Sequence, residues 1–282
     1  MKTLLEVLKL TEQFLRKKEI PRAKRLAEDL VAYALRCGRL ELYMAYDRPV
    51  DDRELELVRD GLKRSLLGEP LEYIFKQVQF FHCPLNVTPS VLIPRQETEI
   101  LLSKIVAGIK DSDLEGKVAW DLCTGSGCLG VGLKRARKEL SVVLSDVSQE
   151  ALEVAKSNVH LNNLEIECRL GDLFAPFEGE MADFIICNPP YIAEAEYPLL
   201  DRSVRDFEPR LALVGGGTGF EYYERVARDL SRFLRPGGKA FFEIGTGQGE
   251  AVLNIFLSAG FSCCRVEKDW ADHDRFFFLE LE

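Results

Sequence analysis

Leu4, Val7, Leu8 and Leu15 recur at helical spacing, which predicts an amphipathic helix at the start of the chain. Pro21 is expected in the first turn of a second helix, which Cys37-Gly38 closes. A third short segment, RLELYMAY, ends before Pro49, and a fourth helix starts at Asp51-Asp52 and runs to Leu67-Gly68. Residues 1–75 therefore read as a small helical bundle, suited to recognition or support. In QVQFFHCPLNVTPSVL two β runs flank a proline and asparagine turn, so residues 76–92 are expected to be a β-hairpin linker. IPRQETEILLSKIVAGI then reads as a proline-bounded turn feeding a helix. From residue 117 strand-like runs (VAWD, SVVLSD, EIECRLGD, ADFIIC, KAFFEIG, FSCCRVEKD, RFFFLELE) alternate with helical ones. That alternation predicts an α/β fold, with a doubly wound, mostly parallel sheet of seven strands across residues 93–282. No helix separates the last two strands, so the final strand is expected to be antiparallel.

Composition narrows the class. The chain has 282 residues and a net charge of −9. Residues 1–75 hold 15 Lys/Arg against 14 Asp/Glu, and the remainder 22 against 32. The acid therefore lies in the α/β part, which disfavours nucleic-acid binding through phosphate neutralisation. No apolar run approaches the roughly 20 residues of a membrane span. The N-terminus mixes charge through its apolar positions and does not read as a signal peptide. Eight cysteines without a CxxC pair are expected to be buried, reduced thiols in a cytoplasmic protein. His82, His160 and His273 have no zinc-ligand spacing, so no metal is expected. Without heptads a monomer is the expectation.

Two stretches carry chemistry. Strand VAWD runs into LCTGSGCLG and a helix, and Asp146 ends the next strand. Glycines let the backbone turn tightly and a ligand approach, and an acid at Asp146 can bind ribose hydroxyls. Gly125-x-Gly127-x-x-Gly130 matches the dinucleotide fingerprint, but Asp121 at the end of the first strand would repel a pyrophosphate. It suits the sulfonium and ammonium of S-adenosyl-L-methionine better than NAD. The bland alternative is an unliganded strand-helix turn. Asp172 in GDLF could reach an adenine amino group with Leu173 against the ring, but taken alone it reads better as a turn aspartate.

The second stretch is Asn188-Pro189-Pro190-Tyr191, directly after the apolar run FIIC. An amide or ring-amino nitrogen is a poor nucleophile because its lone pair is delocalised. Two fixed acceptors on its N–H groups aim that lone pair at a methyl group. The Asn188 side-chain oxygen and the Pro189 carbonyl fit this catalytic task. The prolines rigidify the loop, and Tyr191 offers a face for a planar group. The alternative is an ordinary proline turn.

The motif resembles that of class I methyltransferases acting on planar nitrogen. GEPLEYI, PLNVTPSVLIPRQETEILL, DLCTGSGCLG, ICNPPYI, FEPRLALVGGGTGFEYY and FEIGTGQGEAV resemble, in this order, the protein-(glutamine-N5) methyltransferases of peptide chain release factors (the PrmC/HemK family). The resemblance covers almost the whole chain. It implies a Rossmann-like catalytic domain, S-adenosyl-L-methionine as methyl donor and the glutamine of a Gly-Gly-Gln loop in class I release factors as acceptor. Asn188, Pro189, Pro190 and Tyr191 would hold the glutamine amide, with Arg95 and Glu97 to Glu99 shaping the site. Asp121, Cys123, Thr124, Gly125, Ser126, Gly127, Asp146, Asp172 and Leu173 would hold the cofactor, with Asn188 beside it. Glu208 to Arg210 would buttress the Asn-Pro-Pro-Tyr loop. Cys123 and Gln96 stand where the family usually has Gly and Pro, and FKQVQFFH also departs from its pattern. The rivals are an adenine-N6 methyltransferase on DNA or RNA, an NAD-dependent oxidoreductase, and a non-catalytic protein-binding module.

Overall fold

In the computed structural model, which describes residues 1–110 and 113–282, the first 75 residues are helical. This unit, Met1–Phe75, contains β1 (Lys2–Thr3), α1 (Leu4–Lys17), α2 (Ala23–Leu35), α3 (Arg39–Met44), β2 (Pro49–Val50), α4 (Asp52–Leu66) and α5 (Leu71–Phe75). Thr3 and Asp51 cap α1 and α4, each answered by a glutamate three residues on, which satisfies backbone donors at both helix starts. Leu4, Val7 and Leu15 are buried as the helical spacing requires, and Leu8 is half-buried. The ends of α2 differ from expectation. Pro21 lies before the helix, whose N-cap is Arg22 in the left-handed region (φ 54°). The helix closes at Arg36, also left-handed, with the Cys37 N–H donating to the Ala32 carbonyl at 3.0 Å. Gly38 instead caps α3, receiving the Glu41 carboxylate on its N–H. β1 pairs antiparallel with β2, a contact no periodicity announced.

The second unit, Lys76–Glu282, opens with the hairpin β3 (Gln77–Phe80) and β4 (Cys83–Asn86). Its turn is Phe81-His82, with φ of 46° and 61°, as a two-residue hairpin turn demands. The expected proline and asparagine, Pro84 and Asn86, sit inside β4 instead. Glu99 of α6 (Gln96–Gly108) accepts the Phe81 N–H at 3.0 Å, so tertiary support replaces turn propensity. There follow β5 (Val118–Leu122), α7 (Cys128–Ala136), β6 (Ser141–Asp146), α8 (Gln149–Leu161), β7 (Glu167–Leu170) and β8 (Ala182–Cys187). Beyond β8 the chain forms β9 (Ile192–Ala193), α9 (Arg202–Arg205), β10 (Val214–Gly216), α10 (Glu221–Asp229), β11 (Leu234–Glu243), α11 (Gly249–Ser258), β12 (Cys264–Lys268) and β13 (Asp274–Glu280).

The main sheet has seven strands in the order β12-β13-β11-β8-β5-β6-β7. All neighbours are parallel except β13, which is antiparallel to both β11 and β12. Side chains alternate between two cores. Phe184 and Ile186 pack under α6, α7 and α8, while Ile185 and Cys187 pack under α10 and α11. Register then aligns the strand ends: Leu122 stands opposite Cys187 on one side and Ser145 on the other. Asp121, Asp146 and Asn188 consequently meet at one edge of the sheet, the edge where such folds bind ligands. Among the cysteines, Cys83, Cys128 and Cys187 are buried as expected, whereas Cys263 is exposed.

Candidate active site

A cavity of about 300 Å³ opens at this edge, lined by the loop after β5, by Asp146, Asp172 and Leu173, and by Asn188. The loop is shaped by left-handed residues, Cys123 (φ 54°), Gly125 (φ 54°) and Gly127 (φ 81°). The Thr124 N–H donates to the Ser145 carbonyl at 2.9 Å, which ties the loop to β6. Gly130 lets α7 close onto β5 and β6, because a Cβ there would strike Leu144 and crowd the Asp121 carboxylate.

Asp121 is buried. Its Oδ2 accepts from the Thr124 hydroxyl at 2.6 Å and the Gly130 N–H at 2.9 Å. Its Oδ1 is equally buried and has no hydrogen-bond partner among the described residues. Burial pushes its pKa up to about 7 against the pull of those two donors. A buried, half-satisfied carboxylate lining a cavity fits a cationic group. Asp146 accepts from the Gly125 N–H at 2.8 Å and the Ser148 N–H at 2.9 Å, and burial raises its pKa. Asp172 is half-exposed and paired with Arg225 at 2.6 Å, so this carboxylate is already engaged by a cation. Leu173 is buried in a left-handed conformation (φ 49°).

Asn188 leaves β8 at the rim of the same cavity. Its Nδ2 donates to the Thr98 hydroxyl at 3.3 Å, and that hydroxyl donates to Glu243 Oε2 at 2.6 Å. Tyr191 turns its hydroxyl to Glu243 Oε1 at 3.4 Å, while its carbonyl accepts from Gln248 Nε2 at 2.9 Å. A Cβ at Gly215 would run into the Pro190 carbonyl oxygen, so β10 can approach the loop only as glycine. Pro189 and Pro190 are buried. Burial raises the Glu243 carboxyl to about 7 and lifts the Tyr191 phenol above its ordinary value.

Asn188 and Pro190 line the cavity together with Asp121, Cys123, Thr124, Gly125 and Ser126, whereas Gly127, Pro189, Tyr191, Arg95 and Glu97 do not. Arg95 is engaged by Glu208, which also accepts the Ile93 N–H at 3.1 Å. Glu208 thus braces residues 93–95. Arg210 pairs with Glu194. Thr98 was expected near the site only as part of the span Glu97 to Glu99, and Glu243 was not expected there. Glu243 carried a signal, since it is an acid ending the apolar run KAFFE. Thr98 carried none beyond its place in QETE.

Residues 6–75 match the family model of the PrmC N-terminal domain, and residues 96–216 that of the methyltransferase small domain. The chain is 40% identical to the release factor glutamine methyltransferase of Chlamydia trachomatis serovar L2, over 98% of this chain and 93% of that one. It is 36% identical to the release factor glutamine methyltransferase of Leptospira interrogans, over 98% of each. Among solved structures it is similar to the 16S rRNA N2 G1207 methyltransferase of T. thermophilus, with a TM-score of 0.54 and 18% identity over 73% of this chain and 50% of that one. At that identity the likeness is one of fold.

Proposed function

The chain belongs to the family of release factor glutamine methyltransferases, and from that premise we propose that it methylates N5 of the glutamine in the Gly-Gly-Gln motif of class I release factors. S-adenosyl-L-methionine, when bound, supplies a methyl group activated by its sulfonium. The unpartnered Asp121 oxygen receives the cofactor's ammonium, and Asp146 meets its ribose. Asp172, paired with Arg225 in this structure, would meet the adenine. The Asn188 side-chain oxygen and the Pro189 carbonyl accept the two N–H groups of the substrate amide. Those bonds hold the nitrogen and localise its lone pair, so positioning carries most of the rate. The amide proton is lost after transfer, which makes a general base unnecessary.

One observation carries this reading: Asn188 stands at the rim of the cavity that the half-satisfied Asp121 lines. An adenine-N6 methyltransferase would share Asn-Pro-Pro-Tyr, and the near full-length relatives favour the protein acceptor over it. Residues 1–75 serve substrate recognition in this proposal, and the enzyme acts as a cytoplasmic monomer. No helix among the described residues is long and apolar enough to cross a membrane. The test is transfer of label from S-adenosyl-L-methionine to a class I release factor, to the same factor with its loop Gln changed to Glu, and to adenine-containing DNA. Label is expected on the first alone. Label on DNA alone would sink the reading.

A further inference from the structure

We propose that Thr98 and Glu243 are positioning residues that dictate which way round the Asn188 carboxamide sits, and so make the site accept an –NH2 group and reject a carboxylate. This rests on the methyl-transfer reading above and extends it to residues outside the Asn-Pro-Pro-Tyr motif.

A carboxamide presents an acceptor and a donor of nearly the same shape. A half-turn of the Asn188 side chain would replace the oxygen needed by the substrate with an –NH2 that repels it. Nothing in Asn188 itself chooses between the two. The neighbouring hydrogen bonds do. The Thr98 hydroxyl has one proton, and it lies 2.6 Å from Glu243 Oε2, the short separation of a charge-assisted bond. With its proton given to the carboxylate, Thr98 has only lone pairs left for Asn188. The 3.3 Å contact is then favourable only with Nδ2 facing Thr98, because Oδ1 there would set two acceptors against each other. Carboxylate, hydroxyl and amide form a chain with one allowed direction. It leaves Oδ1 for the substrate.

The anchor of the chain is fixed in turn. Glu243 ends β11, the strand beside β8, and is buried. The Tyr223 hydroxyl donates to its backbone carbonyl at 2.9 Å. Burial is the largest influence on its carboxyl and opposes the charged form, as does Glu97; the Thr98 and Tyr191 hydroxyls on its two oxygens and the charge of Arg275 favour the carboxylate. Thr98 comes from α6, so three elements distant in sequence converge to set one rotamer. A site with two outward acceptors binds an amide N–H pair and leaves a glutamate side chain facing lone pairs, a mismatch that costs far more than a lost methylene.

Two substitutions at Thr98 separate this role from mere packing. Thr98→Val keeps the shape and removes the hydroxyl; Thr98→Ser keeps the hydroxyl and removes the methyl. At saturating cofactor, Thr98→Val is expected to lower kcat on the order of 10²-fold, as loss of one preorganised polar group does. Its cofactor Kd should stay within about threefold, and Thr98→Ser should restore kcat to within about threefold of wild type. Equal kcat in Thr98→Val and wild type overturns the proposal, and so does equal impairment of the Val and Ser variants. Should Thr98→Val not fold, Glu243→Leu is the second variant. It has no oxygen to take the Thr98 proton, so the hydroxyl turns to Asn188 and draws its oxygen away from the substrate; kcat should fall at least tenfold, and an unchanged kcat overturns the proposal. Methylation of the release factor by the wild type is scored separately: if it is absent, the functional reading fails, and if it is present while Thr98→Val is unaffected, only the positioning role fails.

Discussion

Asp121 keeps one carboxylate oxygen bonded and the other bare inside the protein, and this fixes how ligand binding should respond to pH. Its folded-state pKa of about 7 lies above the roughly 3.9 of an unfolded aspartate. The folded chain therefore binds the extra proton between those values. This contribution to stability is complete below about pH 4 and is lost as pH rises through about 7. A cationic ligand requires the ionised form, so the two effects have opposite signs. Calorimetric titration with S-adenosyl-L-methionine should show affinity rising up to about tenfold per pH unit below 7 and levelling above it. Asp121→Asn should bind weakly with a flat profile; a flat profile in the wild type would remove Asp121 from the cofactor's ammonium. Asn188→Ala makes the complementary test. It should lower kcat about 10²- to 10³-fold with cofactor Kd nearly unchanged, and equal loss of both would assign Asn188 to the cofactor. Asp121, Asp146 and Asn188 were legible as site candidates because each ends or directly follows an apolar run and chemistry follows it. Glu243 also ends such a run, but its relevance depends on β11 lying beside β8, a neighbourhood that only the crossover connections create.

At the scale of elements, the Asn-Pro-Pro-Tyr loop is held by pieces far apart in the chain. Gln248 at the start of α11 holds the Tyr191 carbonyl, and Gly215 of β10 lies against the Pro190 carbonyl. Gly215 is not among the positive-φ glycines, so Gly215→Ala imposes no backbone strain and acts by displacement alone. A shift of about 1 Å in the loop can cost 10²-fold in rate. Gly215→Ala should therefore lower kcat on that order and lower Tm by the few degrees that overpacking costs, with cofactor affinity close to wild type; a wild-type kcat would show that the loop does not need this contact. The strands and helices of the sheet were readable because their apolar periodicity is strong and uninterrupted. The turns were not. Phe81-His82 and Arg22 adopt left-handed backbone without the glycine or asparagine that advertises it, and Glu99 supplies part of what the Phe81-His82 turn lacks.

On the scale of the whole molecule, each of the two units has apolar cores of its own. Leu4, Val31, Leu42 and Val58 share a core within residues 1–75, and the cores on the two faces of the sheet draw only on residues beyond 76. Every residue lining the cavity, from Ser90 to Tyr222, belongs to the second unit. The charge follows the same division, nearly balanced in residues 1–75 and strongly acidic beyond. If the first unit recognises substrate, deleting it should leave cofactor binding alone and injure only the encounter with the release factor. Residues 76–282 expressed by themselves should bind S-adenosyl-L-methionine within about threefold of the full chain. Their kcat/KM on a release factor should fall at least tenfold, mainly through KM, the signature of lost ground-state binding. A fall in kcat at unchanged KM would instead mean that residues 1–75 act on the transition state, and an unchanged kcat/KM would take recognition away from them altogether.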